Sequence, residues 1–230
     1  MKAKNKKKLL ILVAIGIFFS SNQVFAHQPN LVWESQSTEK TPYLIEDINI
    51  SQAFYGELKN KPEYYKVNID KPSILYVGLL VPDNKNASKD LSLKIIKLNS
   101  PDSDIKLFLN GTILVWEKYY EPFAGDNYLK GPEETKYLRT GEYLIEVTSK
   151  DNIGKYSLVV GQEESFPLGK TIRMMIDLPK LKMVFFEEPF YMLYSGILGK
   201  LMTALFLFLL LLSMMSLRKV KESKMLKRKK

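Results

Sequence analysis

Between residues 47 and 161 apolar and polar side chains alternate in short runs of period two, separated by turn residues, which predicts β-strands with one buried and one wetted face. Tyr65, Val67 and Ile69 alternate with Tyr64, Lys66, Asn68 and Asp70, the pattern of a half-buried strand. Residues 73–81, SILYVGLLV, are apolar throughout and bounded by Pro72 and Pro82, as expected of a central strand covered on both faces. Leu91, Leu93 and Ile95 share a face before the phase breaks at Ile96, which predicts a bulge. Asn110-Gly111, between IKLFL and TILVW, predicts a two-residue hairpin turn. Tyr143, Ile145 and Val147, then Tyr156, Leu158 and Val160, alternate around a turn at 151–154 and predict a last hairpin. About seven such strands with little helical period between them predict an all-β domain, an antiparallel, jelly-roll-like sandwich over 47–165, with 27–46 as an N-terminal extension.

Past Gln162 the period changes. Leu168, Ile172, Met175 and Ile176 fall on one helical face, with Lys170, Arg173 and Asp177 elsewhere, until Pro179 ends the run. A juxtamembrane amphipathic segment is therefore expected over 166–190, either on the outer leaflet or packed on the sandwich. Phe185, Phe186, Phe190, Tyr191 and Tyr194 suit a headgroup layer. Residues 197–217 then give 21 positions, a helical rise of about 31 Å, enough for a hydrocarbon core of about 30 Å. One membrane span is predicted, with its flanking interface over 191–217. A charge at the bilayer centre costs about 2.5–3.5 kcal/mol, so Lys200 belongs at the outer edge, and Arg218 and Lys219 mark the inner one.

At the other end, Lys2 to Lys8 followed by the apolar run 9–19 and Val24-Phe25-Ala26 predict a signal peptide over 1–26, cleaved between Ala26 and His27. An uncleaved anchor is the alternative, but about eleven apolar residues are too few to span a bilayer. Charge agrees with this topology. The formal net charge is +9, yet residues 27–190 hold 20 basic and 24 acidic residues, a net charge of −4. The excess lies in five lysines before residue 9, Lys200, and eight Lys/Arg in the tail 218–230, which is placed in the cytoplasm by the positive-inside rule. A mildly acidic domain excludes a nucleic-acid partner, whose phosphates need clustered cations. The absence of cysteine excludes disulfides and thiolate metal sites.

FYGELKNKPEYYKVNIDKPSILYVGLL followed by TGEYLIEVTSKDNIGKYSLVVG resembles the bacterial pre-peptidase C-terminal domain family over roughly 48–161. The shared features are Gly56 and Leu58, the pair Tyr64-Tyr65, Gly141 and Tyr143, and Gly154 and Tyr156. The resemblance implies a small jelly-roll-like accessory domain on an exported protein. No peptidase domain precedes it here, and no multi-acid motif matches the calcium sites of some members.

Residues 116–134 collect the densest candidate chemistry, with Trp116, Glu117, Tyr119, Tyr120, Glu121, Phe123, Asp126 and Tyr128 as candidate ligand-binding residues. Aromatic faces stack on sugars or hold cations, and acids supply acceptors. The competing reading is a long loop whose Trp116, Tyr119, Phe123 and Tyr128 fold back to cap the sandwich. Asp102 and Asp104 suit calcium or an ordinary turn; no other cofactor is expected. Catalysis has little to work with. There is no cysteine, the single histidine, His27, falls at an expected flexible terminus, and Glu117 with Glu121 is the one carboxylate pair suggesting glycan hydrolysis. The chain reads as a non-enzymatic, single-pass, extracytoplasmic module binding a protein, polysaccharide or ion. The alternatives are an accessory subunit assembled through the span and juxtamembrane segment with a membrane-protein partner, and a carboxylate-dependent hydrolase.

Overall fold

The computed structural model describes residues 27–99, 104–165 and 167–228. The signal peptide expected at 1–26, with Ala26, and Asp102 of the candidate calcium pair lie outside the described residues. Two sheets face each other. The six-stranded sheet runs in the order β1 (Gln28–Leu31), β3 (Gln52–Lys59), β11 (Ile153–Val160), β5 (Ser73–Pro82), β9 (Asp126–Leu138), β8 (Glu117–Glu121). The five-stranded sheet runs β2 (Tyr43–Ile45), β4 (Glu63–Ile69), β10 (Gly141–Thr148), β6 (Ser92–Lys97), β7 (Ile105–Asn110). The fold is a β-sandwich, antiparallel except at two edges: β1 and β2, supplied by the segment expected to be an extension, pair in parallel with β3 and β4.

Alternation decides which side chains meet. Tyr65, Val67 and Ile69 face Leu75, Val77, Leu79, Tyr143, Ile145, Tyr156 and Leu158 across a continuous core. β5 lies between β11 and β9 as its apolar run predicts, and its Leu80 serves a second cluster on the outer face. The bulge expected at Ile96 is present as a register shift against β7.

Two predicted hairpins do not form. β10 and β11 lie in different sheets, crossing over at Asn152, whose φ is 50° and whose side chain accepts the Ser149 N–H at 3.2 Å. Alternation reports which face of a strand is apolar but not which strand lies beside it, and both strands turn that face to the same core. Asn110-Gly111 likewise starts a crossing from the edge of one sheet to the edge of the other rather than a hairpin. Asn110 Oδ1 accepts the Thr112 N–H at 2.9 Å, and Trp116 Nε1 donates to Gly111 O at 2.9 Å, anchoring both ends of the crossing. Ile113, Leu114 and Val115 are left exposed.

After the sandwich, α1 (Leu168–Lys180) runs through Pro179 instead of ending there, and a π-helical turn, Leu181–Phe185, continues it. The segment packs on the sandwich, but not by the predicted face. Met174, Asp177, Leu178 and Leu181 are buried, while Leu168, Ile172 and Ile176 are exposed. Phe185 and Phe186, expected at a headgroup layer, are buried against Trp33, Tyr55 and Tyr128; Phe190, Tyr191 and Tyr194 remain exposed on a short 3-10 turn, Phe190–Tyr194. Helix α2 (Ile197–Arg228) closes the chain. Its first 22 residues, Ile197–Arg218, are long and apolar enough to cross a membrane. Lys200 is exposed near the start of that stretch and Arg218 ends it, with Lys219 next in the same helix. Thr203 Oγ1 donates to Gly199 O at 2.8 Å, satisfying its hydroxyl within the helix.

Candidate functional site

Residues 117–138 are not a loop but the β8–β9 hairpin at the edge of the six-stranded sheet. Its turn is built by Glu121, whose carboxylate is buried and accepts the N–H groups of Phe123 and Ala124 at 2.8 and 2.7 Å. Burial raises the Glu121 pKa to about 7 against the pull of those two bonds. Gly125, at φ 77°, closes the turn where a side chain would strike Ser195 and Gly196. The turn then receives the start of α2: Ile197 and Leu198 donate their N–H groups to Pro122 O and Phe123 O at 3.1 and 2.9 Å. Helix and sandwich are thereby joined through backbone.

Beneath that turn Lys182 is entirely buried. Its ammonium donates to Gly125 O at 2.9 Å and to Ser195 Oγ at 3.2 Å, lies 3.3 Å from Glu188, and forms an ion pair with Asp126, which is also fully buried. Asp126 Oδ2 makes no hydrogen bond. Burial lifts the Asp126 pKa to about 6, and Lys182 holds it from rising further. This node ties the segment after α1 to the hairpin.

On the outer face of the same sheet, beside the region covered by Leu181, Phe185 and Phe186, is a cavity of about 230 Å³. Tyr76 and Tyr119 wall it, with Gly78 leaving room on its floor. Tyr76 donates its hydroxyl to Glu133 at 2.5 Å, and Glu133 pairs with Lys130 at 2.7 Å. His27 and Ser51 reach the same cavity, Nδ1 and Oγ 2.5 Å apart. His27 is thus packed, not part of a flexible end as the sequence suggested, because β1 seats it against β3. Burial drops its pKa to about 4, so it is neutral near pH 7.

The structure disperses the eight candidate residues of 116–134. Trp116 is buried over Gly131, Tyr128 is buried and shares a hydroxyl hydrogen bond of 2.9 Å with Tyr55, and Glu121, Phe123 and Asp126 serve the turn and the helix junction. Tyr119 lines the cavity; Glu117 and Tyr120 are exposed at the edge. Sequence reasoning missed Lys182, Glu188, Tyr76, Lys130, Glu133 and Ser51. A signal existed for the first, a lone lysine inside the apolar run Leu181 to Phe186. Tyr76 and Glu133 lie 57 residues apart and carry none. Of the candidate calcium pair, Asp104 pairs with Lys106, and among the described residues no three acidic or histidine side chains are grouped to hold a metal ion.

The class of molecule is a two-sheet β-sandwich with a docked helical segment over 168–185 and a C-terminal helix long and apolar enough to cross a membrane. No family model matches the chain, and no curated protein sequence does. Similar solved structures include a pre-peptidase C-terminal domain of a collagenase from Bacillus anthracis, at 9% identity and a TM-score of 0.32, covering 61% of this chain and 98% of its own. They also include PliG, a periplasmic inhibitor of g-type lysozyme, from Aeromonas hydrophila, at 13% identity, a TM-score of 0.32 and coverage of 59% and 98%. The PliG of Salmonella Typhimurium matches at 14% identity and a TM-score of 0.28, over 53% and 98%. The first of the three is a domain of the family whose motifs this sequence resembles.

Proposed function

We propose that this chain is a non-enzymatic binding module, exported by the 1–26 signal and held outside the cytoplasm by α2, with its ligand site in the cavity of Tyr76 and Tyr119. One observation carries the reading: two tyrosine rings, a Lys130–Glu133 pair and Gln162 converge on a cavity of about 230 Å³. Aromatic walls with a charge-balanced polar rim suit a polysaccharide unit or a polar protein segment. The Ser51–His27 pair in the same wall does not suit catalysis, since an imidazole of pKa about 4 is too weak a base for a serine hydroxyl near pH 7. The test is capture of soluble glycans and envelope proteins by the full chain in detergent. Tyr119→Ala lowers capture about tenfold with the unfolding midpoint held, the order of effect expected for losing an aromatic anchor. Undiminished capture by that variant removes the cavity from the reading.

A second reading, an accessory subunit of a membrane complex, draws on the exposed apolar crossing Ile113, Leu114 and Val115 beside the open edge strand β7. Replacing residues 201–217 by an unrelated apolar helix separates the two, because only the second reading predicts loss of assembly with the membrane partner.

A further inference from the structure

Helix α1 has two apolar faces, and the sandwich covers only one. Met174 and Leu178 are buried on it, with Leu181 just beyond its end, whereas Leu168, Ile172 and Ile176 are 77, 50 and 66% exposed. At about 100° per residue these three fall within an arc of about 80°, and Arg173 and Lys180 sit along one border of that arc. Soluble surfaces rarely leave such a stripe open.

What fixes its height is the contact with α2. Met174 and Leu178 form a buried cluster with Leu198, and Met175 and Met202 pack at its margin. Leu198 and Met202 bracket Lys200, the charge that must lie at the outer rim of the span. The stripe is therefore held beside the chain's own entry into the hydrocarbon, on a helix that contacts the 3-10 turn carrying the exposed rings of Phe190, Tyr191 and Tyr194. A partner protein there would compete with lipid already present; the bordering cations Arg173 and Lys180 are paired with Asp177 at 2.6 Å and Glu34 at 2.5 Å, so it is the apolar stripe, not free charge, that points to lipid.

We infer that the outer leaflet of the bilayer is the occupant of this face: α1 lies in the interface, its Met174 side on the sandwich and its Ile176 side in lipid, so that the domain stands on the membrane in one orientation. The inference rests on the proposal that α2 spans the membrane.

The chain has no cysteine, so single nitroxide labels can be placed at Ile176→Cys, Leu44→Cys and Leu207→Cys in the full chain, reconstituted in nanodiscs of phosphatidylcholine with phosphatidylglycerol. Leu44 is an exposed residue of β2 and Leu207 an exposed residue of α2. The expected result is an oxygen-to-nickel collision ratio at position 176 about tenfold above that at position 44, approaching that at 207. A ratio at 176 equal to that at 44, with 207 lipid-exposed, overturns the inference and leaves the anchor intact. Shielding of 176 from both reagents also overturns it, in favour of a protein neighbour. A water-accessible label at 207 removes the anchor itself.

Discussion

Lys182 shows how one residue can govern a junction. Its ammonium has left water completely and is held by two carboxylates, a carbonyl and a hydroxyl. Breaking such a set leaves an uncompensated buried charge. Lys182→Met is expected to cost about 3–5 kcal/mol in denaturant unfolding, and Lys182→Met with Asp126→Leu to recover most of it, since an apolar pair needs no solvation. Titration offers a second check at this scale. His27, depressed from 6.5 to about 4, takes up a proton more readily when unfolded, so it makes stability fall as pH drops through 6.5 to 4. Glu121 and Asp126, raised to about 7 and 6 from 4.5 and 3.8, bind protons more tightly when folded, so they make stability fall as pH rises through 4 to 7. The two effects oppose each other in one window. Unfolding free energy measured against pH is expected to gain positive slope between 4.5 and 7 in Glu121→Gln and to lose it between 4 and 6.5 in His27→Asn; parallel profiles would refute the assignment.

Among the elements, the packing of the β3–β11 pair against β4 in the facing sheet is set around Gly56. A side chain there would meet the Tyr156 ring at 2.4 Å, and that ring carries the hydroxyl bonded to Tyr65 at 2.8 Å in the centre of the core. Four of the eight residues that carry the resemblance, Gly56, Leu58, Tyr65 and Tyr156, are thus one packing unit, with a fifth, Tyr143, adding a bond from its hydroxyl to Arg139 O at 2.8 Å. Gly56→Ala is expected to lower stability by about 1–3 kcal/mol by overpacking, read by thermal unfolding. The hairpin turn and α2 form the other critical contact. A side chain at Gly196 would strike the backbone of Phe123 and Ala124 at 2.3–2.5 Å. Gly196→Val is expected to undock the helix while leaving the sheets intact, exposing residues 166–195 to limited proteolysis without loss of the β-sheet circular dichroism.

For the whole molecule, the consequence is that the sandwich does not hang from a flexible tether. Backbone bonds at Ile197 and Leu198, the Lys182 node and the aromatic cluster of Phe185 and Phe186 join α2 and the segment before it to the sandwich. If the topology is as proposed, cysteine placed at Leu44 reacts with an impermeant maleimide in intact cells and cysteine at Lys219 only after permeabilisation; the reverse pattern would invert the orientation. By itself the sequence determined most of the strands between 52 and 160, the central place of β5, the bulge at Ile96, and a long apolar C-terminal helix with Lys200 near its start and Arg218 at its end. Those features follow from local period, length and charge, which neighbours in the chain carry. Tertiary structure alone decided that β10 and β11 face each other across the core instead of pairing, that Asn110-Gly111 bridges two sheets, and that α1 buries Met174 and shows Ile176. It also drew Tyr76, Tyr119 and Glu133 to one cavity and sealed Lys182 against Asp126. Each of these depends on which distant surface competes for the same apolar face or the same charge, and that competition is resolved only when the chain is folded.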